Sequence, residues 1–285
     1  MPLMLVAELH GHHIPETANS EDYLTSTVFG HLRYLPPRIF WDELFKEALA
    51  MPGAMSGTLA GLLPHLGIEI ENFEMLEVRF WSRHPEYGCP DLILVFSGAA
   101  CQPLIILIEA KLWAEKSGTG EFDQIARYLR LLDKPDGVVP RLPETARSVL
   151  IYLTEHDSVA ELEESITIYG NPDEARQRIF RLQWQDIVVA AQRTMRGVMG
   201  VEKLILGDVA AFLSQRNLEY FSGFRRLNLP LMGLRRLEMF SESLFTEVAL
   251  PSGFEPRTLD LTFSRSFFIH LPFSERFMIE RGPWL

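Results

Sequence analysis

Residues 104–111 have the sequence LIILIEAK, in which five apolar residues lead directly into an acid, an alanine and a lysine. A short apolar run of this kind is typical of a central β-strand. Because side chains alternate across a strand, Glu109 and Lys111 point to one face of the sheet and Ala110 to the other. The stretch therefore predicts a buried strand that ends with an acid and an amine on the same face.

A second carboxylate lies eighteen positions earlier, where residues 88–93 have the sequence GCPDLI. Asp91 opens another apolar run there, and a hairpin between the two runs would bring its carboxylate beside Glu109. Two carboxylates this close repel each other, and a divalent cation between them stabilises the pair. The alternative is a solvated Glu–Lys pair at a strand end, which has little energetic weight. Charges that enter a buried sheet cost free energy unless they are paired or bound to a metal, which favours the first interpretation.

The pattern around this hairpin predicts an α/β fold. We expect helices at residues 21–35, after the capping residue Ser20, and at residues 39–50, followed by a loop through residue 64. Strands are predicted at residues 69–81, 91–96, 104–108 and 148–153, with shorter strands at 166–169 and 179–182. Further helices are predicted at residues 122–132, 184–196 and 201–220, and a small hairpin at residues 258–271.

The predicted topology is a three-strand meander followed by a crossover. A helix between the strand at 104–108 and the strand at 148–153 requires at least one parallel pair of strands. The chain is thus predicted to form a mixed central sheet flanked by helices. Residues 1–197 are interpreted as the core domain, and residues 198–285 as a mainly helical C-terminal extension that packs on it.

The composition is that of a globular protein. The chain has 285 residues and is 47% hydrophobic, which excludes a disordered, collagen-like or coiled-coil protein. Two cysteines cannot form a disulfide framework, and no apolar run approaches the length of a membrane helix. We therefore expect a cytoplasmic protein without membrane association.

The net charge of −11 argues at first against a nucleic-acid partner, because a strongly acidic protein repels phosphates. Seven acids between residues 148 and 175, with no Lys or Arg among them, supply much of this charge. Five arginines further on face only Glu219 within their span: Arg216, Arg225, Arg226, Arg235 and Arg236. We expect the acidic segment to lie away from the substrate and the arginines to flank it.

The sequence lacks the motifs of several other classes of enzyme and of structural zinc sites. It has no glycine-rich phosphate loop, no G-x-S-x-G and no paired C-x-x-C, which argues against nucleotide triphosphate hydrolysis, α/β-hydrolase chemistry and structural zinc. The three histidines His10, His12 and His13 lack a second group of ligands, so we interpret them as solvated.

The order Pro90-Asp91, then Glu109-Ala110-Lys111, resembles the signature of the PD-(D/E)XK nuclease superfamily. The resemblance implies a restriction-endonuclease-like α-β-β-β-α-β core from residue 21 to about residue 153, nearly half the chain. It also implies that a glutamate of the first helix completes the metal site, for which Glu21 is the candidate and Asp22 the alternative.

Gln124 and Tyr128 resemble the Q-x-x-x-Y element of the RecB-like branch of that superfamily. Four positions apart on a helix, they share a face. The resemblance implies that both line the site and help to position the substrate or the metal-bound water. Thr154, after the strand at 148–153, is a weaker candidate by the same strand-end reasoning.

The resemblance implies a nuclease that hydrolyses DNA with Mg²⁺, for which Mn²⁺ can substitute. Glu21, Asp91 and Glu109 would hold the metal, and Lys111 would orient or help activate the attacking water. DNA is implied more often than RNA, with roles in repair, restriction or defence against foreign DNA. A homodimer and a protein partner of the C-terminal extension are left open.

Two alternatives stay open beside this interpretation. The first is a non-catalytic nuclease-fold scaffold or regulator within a larger assembly, which the acidic composition favours. The second is a metal-dependent enzyme that acts on a small phosphate ester.

Overall fold

The first two helices begin where the sequence supplies start signals. Helix α1 (Glu21–Leu32) follows Ser20, whose hydroxyl accepts a hydrogen bond from the Tyr23 N–H at 3.2 Å. Helix α2 (Pro37–Glu47) begins at a proline, which fits the first helical position because it lacks an N–H group there. This computed structural model describes residues 20–99, 101–112, 116–135, 139–140, 143 and 145–220.

The remaining elements alternate between strands and helices. In the described part of the chain the strands are β1 (Leu49–Ala50), β2 (Met75–Phe80), β3 (Leu92–Ser97), β4 (Leu104–Ala110), β5 (Arg147–Thr154) and β6 (Ile179–Gln183). The other α-helices are α3 (Leu59–Leu62), α4 (Gln124–Leu132), α5 (Val159–Tyr169), α6 (Pro172–Arg178), α7 (Trp184–Thr194) and α8 (Val201–Gln215). Short 3₁₀ turns span Leu63–Leu66, Ile70–Asn72 and Gly120–Phe122.

The strands form one mixed sheet in the order β1-β6-β5-β4-β3-β2. Strands β2, β3 and β4 are antiparallel neighbours, whereas β4 with β5 and β5 with β6 are parallel pairs. Helix α4 lies in the connection from β4 to β5. The predicted α/β class, the meander and the crossover are therefore confirmed.

Helices cover both faces of the sheet. The even-numbered residues of β4, such as Ile106 and Ile108, belong to an apolar cluster with residues of α1, α2, α7 and α8. The odd-numbered residues, such as Ile105 and Leu107, pack in a second cluster with α4, α5 and α6. Since Glu109 continues the odd-numbered series, its side chain begins on the face that α4 covers.

Several predicted elements differ from the structure. The predicted strand at residues 166–169 is wrong, because these residues end helix α5, where Leu162 and Ile166 bury one face at helical spacing. Residues 70–72 form a 3₁₀ turn instead of the start of a strand. The predicted helix at residues 39–50 ends at Glu47, and its last two predicted residues form β1, which pairs with β6. The predicted loop through residue 64 contains the short helix α3. Helix α4 begins after Phe122, and α8 ends at Gln215 rather than at residue 220.

Helix α8 follows the predicted domain boundary and packs against α1 and α7. The boundary between residues 197 and 198 stays a prediction. Among the five arginines, the structure describes Arg216, whose guanidinium lies 3.7 Å from the centre of the Phe212 ring. The hairpin at 258–271, the three N-terminal histidines and the other four arginines lie outside the described residues. No helix within the described ranges is long and apolar enough to cross a membrane.

Candidate active site

Asp91 and Glu109 are brought together by the register of β3 and β4. Leu92 pairs with Ile108, so the antiparallel register continued by one residue places Asp91 opposite Glu109. The Asp91 carboxylate accepts a hydrogen bond from the backbone N–H of Ala110 at 2.9 Å. Its side chain is thereby fixed to the neighbouring strand, as the hairpin hypothesis requires.

Lys111 is held firmly at the end of β4. Its backbone N–H donates to the Leu153 carbonyl at 2.7 Å, and its carbonyl accepts from the Trp184 indole at 3.1 Å. Its ammonium donates to Glu109 Oε1 at 2.5 Å and to Glu21 Oε1 at 3.2 Å. A third contact, to the Ala110 carbonyl at 3.2 Å, satisfies the remaining donor.

Glu21 reaches this cluster from the first turn of α1. Besides its contact with Lys111, it accepts a hydrogen bond from the backbone N–H of Leu112 at 3.1 Å. The neighbouring Asp22, the alternative candidate, is exposed. The geometry thus favours Glu21 as the third carboxylate of the cluster.

Burial and crowding raise the pKa of both strand carboxyls. Glu109 is only 1% exposed, and burial, together with the charge of Asp91, raises its pKa to about 8 against the opposing effect of Lys111. Burial also raises the pKa of Asp91, although the Ala110 N–H opposes it. Burial lowers the pKa of Lys111, but the surrounding carboxylates outweigh burial and raise it overall. The cluster thus places three carboxyl groups around a single ammonium, and the two buried carboxyls hold their protons more tightly than usual.

Within the described part of the chain, one oxygen of the cluster has no hydrogen-bond partner. Glu109 Oε2 is buried and unpaired, while Oε1 of the same carboxyl binds Lys111. An unpaired buried carboxylate oxygen is costly, and a raised pKa is the expected response. Both observations indicate that the cluster can accept more positive charge than Lys111 supplies.

Gln124 and Tyr128 pair on α4, as their spacing predicts. The Gln124 amide donates to the Tyr128 hydroxyl at 3.1 Å, and its carbonyl oxygen accepts from the Ser117 N–H at 3.2 Å. The charges of Glu109 and Asp91 contribute to a raised pKa of Tyr128, for which burial is the main cause. The hydroxyl thus lies within electrostatic reach of both carboxyls.

A cavity of about 650 Å³ opens beside Lys111. Thr154 lines it, as do the acids Glu155, Asp157, Glu161 and Glu164, which all come from the acidic segment. The prediction that this segment lies away from the site is therefore wrong for these residues. Because β5 is parallel to β4, the residues that follow both strands meet at one edge of the sheet. That rule could have identified them from the sequence.

Lys116 and Asp123, which the sequence interpretation missed, form a buried pair next to the cavity. The Lys116 ammonium contacts the Asp123 carboxylate and donates to the Ser165 hydroxyl at 2.9 Å. Glu161 accepts hydrogen bonds from the Lys116 N–H and, at 3.0 Å, from the Tyr152 hydroxyl. This network joins α5 to the loop before α4 and forms one wall of the cavity.

The cluster fits a hard divalent cation by its donor set. Carboxylate oxygens are the ligands that Mg²⁺ and Mn²⁺ prefer, and Glu21, Asp91 and Glu109 supply them around one unpaired oxygen. In the described ranges no group of three His, Cys, Asp or Glu side chains is arranged as a ready metal site. The Lys111 ammonium lies between Glu21 and Glu109, so a cation would have to share or displace its contacts.

Comparisons of this chain with models of protein families, with curated proteins and with solved structures gave no match.

Proposed function

We propose that this protein is a Mg²⁺-dependent phosphodiesterase that cleaves DNA, built on a restriction-endonuclease-like core. The observation that carries the proposal is the convergence of Asp91, Glu109 and Lys111 with Glu21, around a buried carboxylate oxygen without a partner. The resemblance to the PD-(D/E)XK superfamily rests on these same residues: Asp91 before one strand, and Glu109 with Lys111 at the end of the next.

The order of elements supports the same proposal. Helix α1, strands β2, β3 and β4, helix α4 and strand β5 occur in the α-β-β-β-α-β order of that superfamily, with α2, β1 and α3 inserted between α1 and β2. Helices on both faces of the mixed sheet are consistent with it. The candidate site lies where β3 begins and β4 ends, at the edge of the sheet.

Each residue of the cluster has a role in the proposal. Glu21, Asp91 and Glu109 would hold Mg²⁺, which when bound polarises a phosphoryl oxygen and lowers the pKa of a water molecule. The three donors of Lys111 are engaged with Glu109, Glu21 and the Ala110 carbonyl. With the carboxylates turned to Mg²⁺, the donors that they release would orient the attacking water or bind a phosphate oxygen. Gln124 and Tyr128 hold each other in one orientation and help to position the substrate.

Cleavage of DNA by the full-length chain tests the proposal. Asp91→Ala and Lys111→Ala are expected to lower the rate of Mg²⁺-dependent cleavage of plasmid and linear DNA by at least about 100-fold. Glu163→Gln is the matched control, because Glu163 pairs with Arg176 away from the cluster. Cleavage at the wild-type rate by either alanine variant would contradict the proposal.

A non-catalytic nuclease-fold protein is the second candidate, and the acidic lining of the cavity favours it. Crystals soaked in Mn²⁺ separate the two, since an ion between Asp91 and Glu109 supports the enzyme and no ion supports the scaffold. Hydrolysis of a short chromogenic diester, without retardation of long DNA in a gel at low salt, would instead indicate an enzyme for small phosphate esters.

A further inference from the structure

The cavity beside Lys111 has features that a phosphate backbone does not explain. We infer that it receives an unpaired nucleobase, so that the substrate is single-stranded DNA or a frayed end rather than an intact duplex. This inference rests on the proposed phosphodiesterase function and names the substrate class of that site.

The acidic lining disfavours a phosphate. Four acids, Glu155, Asp157, Glu161 and Glu164, line the described part of the cavity together with two lysines and His156. Asp157 is paired with Arg181 at 2.5 Å, so three of the acids remain to repel an anion. Lys116 is already engaged with Asp123 and, at 3.1 Å, with Glu164. A phosphate in this cavity would be repelled, whereas an uncharged base presents N–H groups that carboxylates accept.

Two buried polar groups of the lining make no hydrogen bond with any residue that the structure describes. Ser158 is only 5% exposed, and its hydroxyl makes no hydrogen bond and does not cap α5. Glu155 Oε2 is likewise buried and accepts no hydrogen bond, although the His156 Nε2 lies 4.0 Å from it. The Ser158 hydroxyl can donate and accept a hydrogen bond, and the Glu155 oxygen can accept one. Together they complement the edge of a base, which carries both donors and acceptors.

The size and position of the cavity agree with a base. Its volume of about 650 Å³ lies within the range of roughly 300–1,000 Å³ that is usual for pockets of small organic ligands. Lys111 belongs both to the cavity lining and to the carboxylate cluster, so a nucleotide whose phosphate lies at the cluster can place its base there. In a duplex the base would first have to leave the stack, at a cost in free energy.

Binding without divalent cations separates base recognition from hydrolysis. The full-length chain is titrated in EDTA, at low salt, against three fluorescein-labelled probes of about 12 nucleotides. The probes are a single strand of mixed sequence, its duplex, and a strand of the same length made of abasic sugar-phosphate. We expect the intact single strand to bind at least about tenfold more tightly than the other two. Equal binding of the abasic strand, or no binding of any probe, would overturn the inference.

Substitutions in the lining test whether its polar groups bind a base or repel a phosphate. Ser158→Ala and Glu155→Gln are expected to weaken binding of the intact single strand about fivefold and to leave the abasic strand unchanged. Glu163→Gln, on helix α5 directly after these residues but not in the lining, is the control and is expected to change neither affinity. If Glu155→Gln instead tightens binding of all three probes, the cavity faces phosphate and the inference is wrong.

The outcomes also separate this inference from the proposed function. Mg²⁺-dependent cleavage with equal affinity for intact and abasic strands would leave the function standing and remove the base site. If the wild-type chain binds the intact strand more tightly than the abasic strand but cleaves neither, the proposed phosphodiesterase function is wrong and the base site stands. The chain could instead bind an arginine-rich peptide, less tightly after Glu155→Gln, and bind no DNA. That result would contradict both the proposed function and the base site and would indicate a protein partner.

Discussion

Glu21 and Lys111 lie 90 positions apart in the chain, and a 3.2 Å ion pair joins their side chains in the folded protein. The second oxygen of the same Glu21 carboxylate accepts the backbone N–H of Leu112. Helix α1 is therefore fixed to the end of β4 through one carboxyl, and the helix enters the site by its first turn.

Two adjacent acids of α1 provide a matched pair of variants. Glu21→Gln is expected to lower the rate of Mg²⁺-dependent cleavage at least tenfold, because it removes one negative charge from the cluster. Asp22→Asn removes the same charge from the exposed neighbour and is expected to change the rate less than twofold. Cleavage assays over a range of Mg²⁺ concentrations check both, and equal effects of the two substitutions would refute the assignment of Glu21.

The raised pKa of Glu109 makes stability depend on pH. The folded protein keeps the Glu109 proton up to about pH 8, whereas the unfolded chain releases it near the ordinary value of 4.5. Between these values the folded state binds more protons, so the free energy of unfolding falls as pH rises and levels off above about 8. Asp91, with its raised pKa, contributes in the same direction from its own ordinary value of 3.8 upward.

Glu109→Gln should flatten this pH dependence. We expect the wild-type protein to lose about 4 kcal/mol more than the variant between pH 5 and pH 8.5, measured by urea unfolding in EDTA. Glu163→Gln is expected to follow the wild-type curve. Parallel curves for Glu109→Gln and the wild-type protein would show that Glu109 ionises normally.

The hydroxyl of Tyr128 can be removed without changing the packing of the ring. Tyr128→Phe eliminates the hydrogen bond from Gln124 and is expected to lower the cleavage rate three- to tenfold and stability by about 1 kcal/mol. Tyr169→Phe is the control, because its hydroxyl binds Asp133 at a place remote from the cluster. The prediction fails if both substitutions leave cleavage unchanged.

Lys116 is expected to matter for stability. Lys116→Met leaves the fully buried Asp123 carboxylate without its cation, and we expect a loss of about 3 kcal/mol in urea unfolding. Lys46→Met, which removes exposed ion pairs with Asp42 and Glu43, should cost no more than about 0.5 kcal/mol. A loss as small for Lys116 as for Lys46 would show that Asp123 finds another partner or is protonated.

Local sequence patterns were sufficient to predict which residues meet in one part of the site. The two apolar runs predicted that Asp91 and Glu109 meet, because a hairpin fixes its register over a short loop. The four-residue spacing of Gln124 and Tyr128 predicted their shared face. The contact of Glu21 with Leu112 could not be predicted from either residue's surroundings, because it depends on how α1 packs against the finished sheet.

The strand prediction at residues 166–169 was wrong because it relied on the intrinsic β-propensity of these residues, whereas tertiary packing determines their secondary structure. Residues 166–169 have the sequence ITIY, rich in the β-branched and aromatic side chains that favour strands. They form the last turn of α5 because Leu162 and Ile166, four positions apart, are both buried against the sheet. Such burial outweighs the small differences in intrinsic preference between helix and strand.

The hydrogen bond from the Trp184 indole to the Lys111 carbonyl has a consequence for synthesis on the ribosome. Trp184 is made 73 residues after Lys111, and Leu153, which binds the Lys111 N–H, is also made later. Domains begin to fold as the chain emerges, so the acids and the lysine are outside the ribosome before their backbone is fully anchored. The cluster therefore reaches its final geometry only after the first residue of α7 has been added.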